Sequence, residues 1–264
     1  ARRVSKRTMA SSAARVCLVT GASRGIGASI AQRFAAAGDR VILHYNKNSA
    51  AAEEVAASLP TSIGGKHLCF QADLAIPGAA SSLVNFVVSQ CGAIDVLVGN
   101  HGVYEETPFD QTDAAAWSAS FERVLRINLA ALAELAHAAA AAMVARGAGG
   151  AIVFVSSRGA LRGEPLAPAY GASKAGLNSL TGSLAQALAP HRVRVAAVAP
   201  GFVATEMAEP ALRGPRGDGI RAQSPFNRVG EPHEIAEAVF YLASEGVAWS
   251  SGVVLDCNGA SYLH

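Results

Sequence analysis

The sequence predicts an α/β fold: a single doubly wound parallel sheet of seven strands with helices on both faces. Two observations predict it. Short runs rich in apolar and β-branched residues alternate with longer helical patterns along the 264-residue chain. The short runs are apolar almost throughout, as in parallel strands that are buried on both faces. Because one such sheet has one core, we expect a single domain over residues 15–264.

The predicted elements follow one another as strand and helix. The predicted strands are 16–20, 40–45, 67–71, 95–99, 151–156, 193–199 and 253–256. The predicted helices are 26–37, 50–59, 79–91, 114–146, 169–188 and 233–243. Residues 202–227 break this alternation, since they are rich in Gly, Pro, Arg and Glu and have no clear period. We interpret residues 202–227, called the lid segment below, as a loop that covers the substrate, because they follow a predicted strand end where such folds bind ligands. The alternative is a plain surface insertion.

Composition and charge exclude several classes of protein. Hydrophobic residues make up 51% of the chain and charged residues 16%, which excludes an intrinsically disordered chain. Five of the 22 basic residues lie in the first 15 positions, which contain no acid. The other positions hold 17 basic and 20 acidic residues, a net charge of −3. Such a domain lacks the basic surface that nucleic acids require, so no nucleic-acid partner is expected.

Residues 1–14 form a basic tail that we expect to be disordered. The tail is rich in Arg and Ser, like an organellar transit peptide, which would place the protein in the mitochondrial matrix or a plastid. We favour the alternative that Met9 is the natural start and that residues 1–8 are an upstream extension. A cytoplasmic protein is then expected.

Neither a membrane span nor a metal site is predicted. The most apolar run, residues 129–144, is too short to span a membrane and contains Glu134 and His137. Four cysteines are widely spaced and form no C-x-x-C pair, which favours reduced thiols over a disulfide framework or a metal site. They are Cys17, Cys69, Cys91 and Cys257.

A glycine-rich loop joins the first predicted strand to the first predicted helix. It reads Gly21-Ala22-Ser23-Arg24-Gly25-Ile26-Gly27. Glycines permit a tight turn and a close approach to phosphate, and the helix N-terminus offers unpaired N–H groups. The pattern therefore predicts a dinucleotide-binding loop.

The end of the second predicted strand indicates which dinucleotide is bound. NAD is usually held there by an acid on the ribose 2′-hydroxyl, but the chain reads His44-Tyr45-Asn46-Lys47-Asn48. Arg24 and Lys47 could instead bracket a 2′-phosphate, which favours NADP(H). The alternative is that both are solvated surface residues.

A tyrosine and a lysine carry the predicted chemistry. Tyr170 and Lys174 are four residues apart, so their side chains share one helix face. A nearby cation favours the phenolate, and we expect Lys174 to lower the pKa of Tyr170 towards 7, where the phenol could protonate a carbonyl oxygen. Ser157, just past a predicted strand end, could hydrogen-bond the same carbonyl; the alternative is a loop or cap serine.

Together these residues resemble the classical short-chain dehydrogenase/reductases, over nearly the whole chain from about residue 15. Residues 20–27 match the family's TGxxxGxG loop. Its catalytic tetrad is matched by Asn128, Ser157, Tyr170 and Lys174. The resemblance implies that Tyr170 is the general acid and that Lys174 lowers its pKa and holds the nicotinamide ribose. It also implies that Ser157 orients the carbonyl and that Asn128 places a proton-relaying water.

The resemblance also assigns residues to the cofactor. Asp73 lies where the family contacts adenine, and Pro200-Gly201 with Thr205 resembles the segment that holds the nicotinamide carboxamide. The family's NNAG motif reads Gly99-Asn100-His101-Gly102 here. His101 could contact the cofactor or fill space, and we favour the second. The residues expected to contact NADP(H) are Gly21, Ser23, Arg24, Gly25, Ile26, Gly27, Tyr45, Asn46, Lys47, Asp73, Leu74, Asn100, Gly102, Tyr170, Lys174, Pro200, Gly201, Val203 and Thr205.

Within the family, the chain is most similar to the 3-oxoacyl-[acyl-carrier-protein] reductases, through Ser23-Arg24, residues 44–48 and residues 228–232. This implies NADPH-dependent reduction of a 3-oxoacyl thioester in fatty acid biosynthesis. Arg146 and Arg192 could face an acyl carrier protein, or be ordinary surface arginines. The alternatives are another alcohol/ketone pair, of a sugar, steroid or xenobiotic, or a non-catalytic cofactor-binding subunit.

The predicted helix over residues 129–144 indicates self-association. It is apolar nearly all round, although the outer face of a covering helix should be wet. We expect it to form a subunit interface in a homotetramer or dimer, as is usual in the family. The alternative is an alanine-rich composition without such a role.

Overall fold

The computed structural model describes residues 14–264, so the predicted disordered tail lies outside the described residues except for Ala14. The strands are β1 (Val16–Val19), β2 (Arg40–Tyr45), β3 (Leu68–Gln71), β4 (Val96–Gly99), β5 (Gly150–Val155), β6 (Val193–Pro200) and β7 (Val254–Cys257). The helices are α1 (Gly25–Ala36), α2 (Ser49–Ser58), α3 (Ala79–Cys91), α4 (Ala114–Leu125), α5 (Ala131–Arg146), α6 (Gly159–Arg162), α7 (Pro168–Leu188), α8 (Glu209–Arg213), α9 (Gly217–Arg221) and α10 (Pro232–Leu242).

The seven strands form one parallel sheet in the order β3-β2-β1-β4-β5-β6-β7. The predicted doubly wound α/β fold is confirmed. Strand order reverses between β1 and β4, and a crevice opens at the carboxyl ends of strands where that happens. The loops after these strands carry the residues that the sequence analysis singled out.

Successive strand residues pack against opposite faces of the sheet. Leu18 and Ile42 join the core under α3, α5 and α7, together with Leu132. Cys17 joins the core on the other side, where Phe34 of α1 packs with residues of α10. Burial on both faces explains why the strands are apolar almost throughout.

The predicted helix over residues 114–146 is present but contains one wide π turn, Arg126–Ala130, between α4 and α5. By length and composition alone this helix could cross a membrane. Its buried residues Leu132, Leu135 and Met143 instead belong to the core beneath the sheet. Single π turns inside α-helices are frequent at functional sites, and this one contains Asn128.

The lid segment, residues 202–227, is more regular than its sequence indicates. It contains the short helices α8 and α9, each of five residues. Neither helix was predicted, because the sequence of this segment shows no period. A helix of little more than one turn is too short to show a repeat of 3.6 residues. The four-residue α6, directly after β5, was missed for the same reason.

Candidate active site

The carboxyl ends of β1, β4, β5 and β6 open into a cleft of about 1300 Å³. Every residue that the sequence analysis assigns to the cofactor lines this cleft, and Ser157 lines it too. Asn128 is the one member of the predicted tetrad that does not line it. The predicted site residues therefore line one cleft, except Asn128, which lies outside its lining.

The glycine loop is shaped to take a group that lies close to the backbone. Gly21 and Gly25 have φ of +63° and +54°, which disfavours other residues. A Cβ on Gly27 would lie 2.2 Å from the carbonyl oxygen of Gly21. The loop opens α1, whose N-terminal N–H groups and dipole suit a pyrophosphate. These features fit the dinucleotide that the sequence predicts.

Asn100 anchors the loop to the end of β4. Its Nδ2 donates to the carbonyl oxygens of Thr20 and Gly21, at 2.9 and 3.2 Å. Its backbone N–H donates to Oγ1 of Thr20 at 2.9 Å. Asn100 therefore holds the loop in shape, whether or not it also contacts the cofactor.

Two histidines border the loop. His101 does more than fill space, because its Nδ1 lies 3.0 Å from Oγ1 of Thr20. Burial, with help from His44 and Lys174, lowers the pKa of His101 to about 3, so the ring is neutral. The sequence analysis did not identify His44, whose Nδ1 accepts a hydrogen bond from the N–H of Gly21 at 3.2 Å. The signal available was a histidine that directly follows the apolar run 41–43 of β2.

Asn128 lies in the π turn and is fully buried. Its Nδ2 donates to the carbonyl oxygen of Val103 at 2.9 Å, and its Oδ1 accepts from the N–H of Val103 at 2.8 Å. Nδ2 also lies 3.2 Å from Oγ of Ser173. The amide thus positions the loop after β4, and its role in placing a water stays a prediction.

Ser157, Tyr170 and Lys174 meet at the inner end of the cleft. Nζ of Lys174 is buried and donates to the carbonyl oxygen of Val155 at 2.8 Å. It lies 5.7 Å from the centroid of the Tyr170 ring. Burial lowers the pKa of Lys174 to about 8. The amine is therefore mostly charged at neutral pH.

The expected lowering of the Tyr170 pKa towards 7 is wrong for this structure. Burial raises the pKa of the phenol above its ordinary value, because the charged form loses its hydration. The neighbouring Ser157 hydroxyl lowers the pKa and the Glu164 carboxylate raises it, but burial is the largest effect. The phenol therefore keeps its proton at neutral pH.

Arg24, one of the two cations assigned to the 2′-phosphate, pairs with Glu206 of the lid segment. Nη1 and Oε2 are 2.5 Å apart, and both side chains are exposed. The lid also touches the loop beside it, since a Cβ on Gly25 would lie 3.2 Å from Cγ2 of Thr205. Lys47 lines the same cleft. An ion pair from the lid was not foreseeable from the sequence, because the partners are 182 positions apart.

The outer part of the cleft is lined with charged side chains. Arg216 pairs with Glu106 at 2.8 Å. Arg158 is buried and donates to Gln223 and to Ser261. Arg162 donates to the same Gln223 oxygen at 2.9 Å. Two guanidinium groups thus hold one amide of the lid segment at the cleft.

Comparison with known proteins agrees with this geometry. The family model described as short chain dehydrogenase matches residues 15–215. An uncharacterized oxidoreductase of Methylorubrum extorquens is 37% identical over 248 residues, covering 93% of this chain and 96% of the relative. A 3-oxoacyl-[acyl-carrier-protein] reductase of Synechocystis is 33% identical, covering 95% and 98% of the two chains.

Relatives with other substrates in their names are equally similar. A 3alpha-hydroxysteroid dehydrogenase of Mediterraneibacter gnavus is 34% identical, covering 94% of this chain and 96% of the relative. Among solved structures, a short-chain type dehydrogenase/reductase of Mycobacterium marinum superposes with a TM-score of 0.86 at 30% identity, covering 95% and 96% of the chains. This protein belongs to the short-chain dehydrogenase/reductase family, whose members are oxidoreductases that bind NAD or NADP.

Proposed function

We propose that this protein is an NADPH-dependent carbonyl reductase whose substrate is a 3-oxoacyl thioester, delivered on an acyl carrier protein. The observation that carries the proposal is the meeting of Ser157, Tyr170 and Lys174 at the inner end of the cleft that the glycine loop borders. When bound, the nicotinamide supplies a hydride to the carbonyl carbon.

The remaining chemistry falls to the chain's own residues. Ser157 orients the carbonyl by donating a hydrogen bond to its oxygen. Tyr170 donates its phenolic proton to that oxygen as negative charge develops there. Because burial keeps the pKa of Tyr170 high, the phenol is protonated at neutral pH and ready for reduction. The Lys174 ammonium stabilises the phenolate that remains.

The choice of NADPH rests on Arg24 and Lys47, which line the cleft, and on the absence of an acid directly after β2. To accept a 2′-phosphate, Arg24 must exchange its bond to Glu206 for one to the phosphate. A charge-assisted pair of an arginine with a phosphate is among the stronger hydrogen bonds in proteins. The exposed pair with Glu206 is weak by comparison.

The thioester substrate is supported by the similarity to the Synechocystis reductase. The two arginines assigned to the carrier protein are engaged by the fold itself: Arg146 pairs with Asp95, and Arg192 donates to the carbonyl oxygen of Gly147. They could still offer remaining donors to an acidic partner. A homotetramer or dimer formed through α5, in the cytoplasm, completes the proposal.

A second candidate is the reduction of a small polar ketone. The charged lining of the outer cleft favours it, because Arg158, Arg162 and Glu164 are poor neighbours for a long alkyl chain. The steroid-named relative shows that substrates differ among proteins of similar identity.

Consumption of NADPH and of NADH should be measured separately with an acetoacetyl thioester, and then with sugar, steroid and small polar ketones. The proposal expects turnover of the thioester that is much faster with NADPH. Faster turnover with NADH would contradict the cofactor assignment. Turnover of a polar ketone but not of the thioester would favour the second candidate.

A further inference from the structure

We propose that His44 is a positioning residue for the dinucleotide: as a neutral imidazole it fixes the glycine loop, and protonation of the ring releases the loop. The inference rests on the proposed role of that loop in binding the dinucleotide. It adds a residue outside the glycine motif and the tetrad, and it predicts an acid limit to cofactor affinity.

The hydrogen bonds of His44 fix its protonation state. The ring is buried at the end of β2, with 3% of the residue exposed. Its Nδ1 lies 3.2 Å from the backbone N of Gly21, and its Nε2 lies 3.0 Å from the carbonyl oxygen of Ala72. A backbone N–H can only donate and a carbonyl can only accept. The ring therefore carries one proton, on Nε2, and Nδ1 must stay unprotonated.

The bond to Gly21 acts at the point where the loop takes its shape. Gly21 has a φ of +63° and its carbonyl oxygen faces Gly27, leaving no room for a Cβ there. Asn100 holds that carbonyl oxygen, and His44 holds the N–H of the same residue. Without His44, this N–H would lose its partner in a mostly buried place, which costs free energy.

The second bond ties the loop to the segment that follows β3. Ala72 directly precedes Asp73, the residue assigned to the adenine. One imidazole thus spans the phosphate-binding loop and the segment after β3. It fixes the distance between the two places where a dinucleotide would be held.

Few charged groups face the ring. Burial lowers the pKa of His44, while the bond to Ala72 and the carboxylate of Asp73 raise it. The ring of His101 lies 6.1 Å away at a steep angle and is neutral. Once the pH falls below the lowered pKa of His44, a second proton would place an N–H on Nδ1 against the N–H of Gly21. Two donors cannot bond each other, so the loop would lose this anchor.

The chain offers a matched control in His67. Its Nδ1 accepts from the backbone N–H of Val41 at 3.0 Å, and its Nε2 lies 2.8 Å from the carbonyl oxygen of Pro60. This imidazole makes the same pair of backbone contacts near the start of β2, away from the cleft. A general loss of stability on removing such a bridge should appear at both histidines.

The test is calorimetric titration of the full chain with NADP⁺ and with NAD⁺, for the wild type, His44→Phe, His44→Asn and His67→Asn. At about pH 7.5, His44→Phe should weaken binding about tenfold, the cost of one unsatisfied buried donor. His44→Asn keeps an acceptor near the position of Nδ1, so it should restore part of that affinity. His67→Asn should bind like the wild type.

The pH dependence separates positioning from a merely structural role. As the pH falls from about 7.5 through the lowered pKa of His44, the wild type should lose affinity relative to His44→Asn, which has no imidazole at this position. The proposal is overturned if His44→Phe binds within twofold of the wild type, if His67→Asn loses as much, or if the ratio of wild-type to His44→Asn affinity is independent of pH. A preference for NAD⁺ would contradict the proposed cofactor but leave the His44 comparison intact.

Discussion

The two halves of the cleft are held in shape by different kinds of contact. The cofactor half, formed by residues 21–27 with His44 and Asn100, is fixed by hydrogen bonds between neutral groups and by glycines that leave no room for a side chain. The substrate half, formed by the lid segment and residues 158–164, is held by arginines that reach across it.

This difference indicates that the two halves of the cleft have different mechanical roles. Neutral bonds in buried places are insensitive to salt and hold one geometry, which suits a phosphate cradle used in every turnover. Exposed ion pairs contribute little stability and exchange partners easily. Such an exposed pair joins Arg24 of the cofactor half to Glu206 of the lid segment. The buried Arg158 instead holds Gln223 through a hydrogen bond to a neutral amide.

The largest effect on the cofactor half should come from Gly27→Ala. A Cβ there would lie 2.2 Å from a backbone oxygen, so the loop must shift. Overpacking of this kind costs about 1–3 kcal/mol, which corresponds to roughly 5- to 160-fold weaker dinucleotide binding if the whole cost falls on the bound loop. Calorimetry measures the affinity. The control is Gly182→Ala in α7, where nothing lies within 4 Å; equal affinities for the two variants would refute the tight cradle.

The substitution Lys174→Met should have an effect of similar size on the pH dependence of the free energy of unfolding. Burial lowers the pKa of Lys174 from 10.5 to about 8, so the folded protein releases this proton earlier than the unfolded chain. The free energy of unfolding of the wild type should therefore rise, relative to the variant, by about 3 kcal/mol between pH 8 and pH 10.5. Urea unfolding across that range measures it, with the exposed Lys66→Met as control. A constant difference between wild type and variant would contradict the buried charge.

The smallest effect should come from breaking the bridge between the two halves. Glu206→Gln removes the partner of Arg24 and should change stability by less than about 1 kcal/mol, because both side chains are exposed. It should tighten NADPH binding a few fold, at constant NADH affinity, since Arg24 becomes available to the 2′-phosphate. Glu209→Gln, which breaks an exposed pair within the lid, is the control. An equal gain in NADH affinity would show that Arg24 does not bind the 2′-phosphate.

The sequence predicted the cofactor half better than the substrate half. Glycine spacing and the Tyr170–Lys174 interval are local patterns, and all of these residues line the cleft. The pKa of Tyr170 and the position of Asn128 depend on burial and on a single π turn, which no residue spacing reveals. The contacts of Arg24 and Arg158 with the lid join distant positions, and a lid without a period offers no register from which to infer them.

The central claim is that the cofactor half binds the dinucleotide, while the residues at the inner end of the cleft carry out the reduction. Tyr170→Phe tests it most directly, with dinucleotide affinity and turnover measured on the same preparation. The account predicts unchanged affinity and a turnover lower by a factor of about 10² to 10⁴, because only the proton donor is lost. Turnover within a few fold of the wild type would contradict the assignment of Tyr170 as the acid.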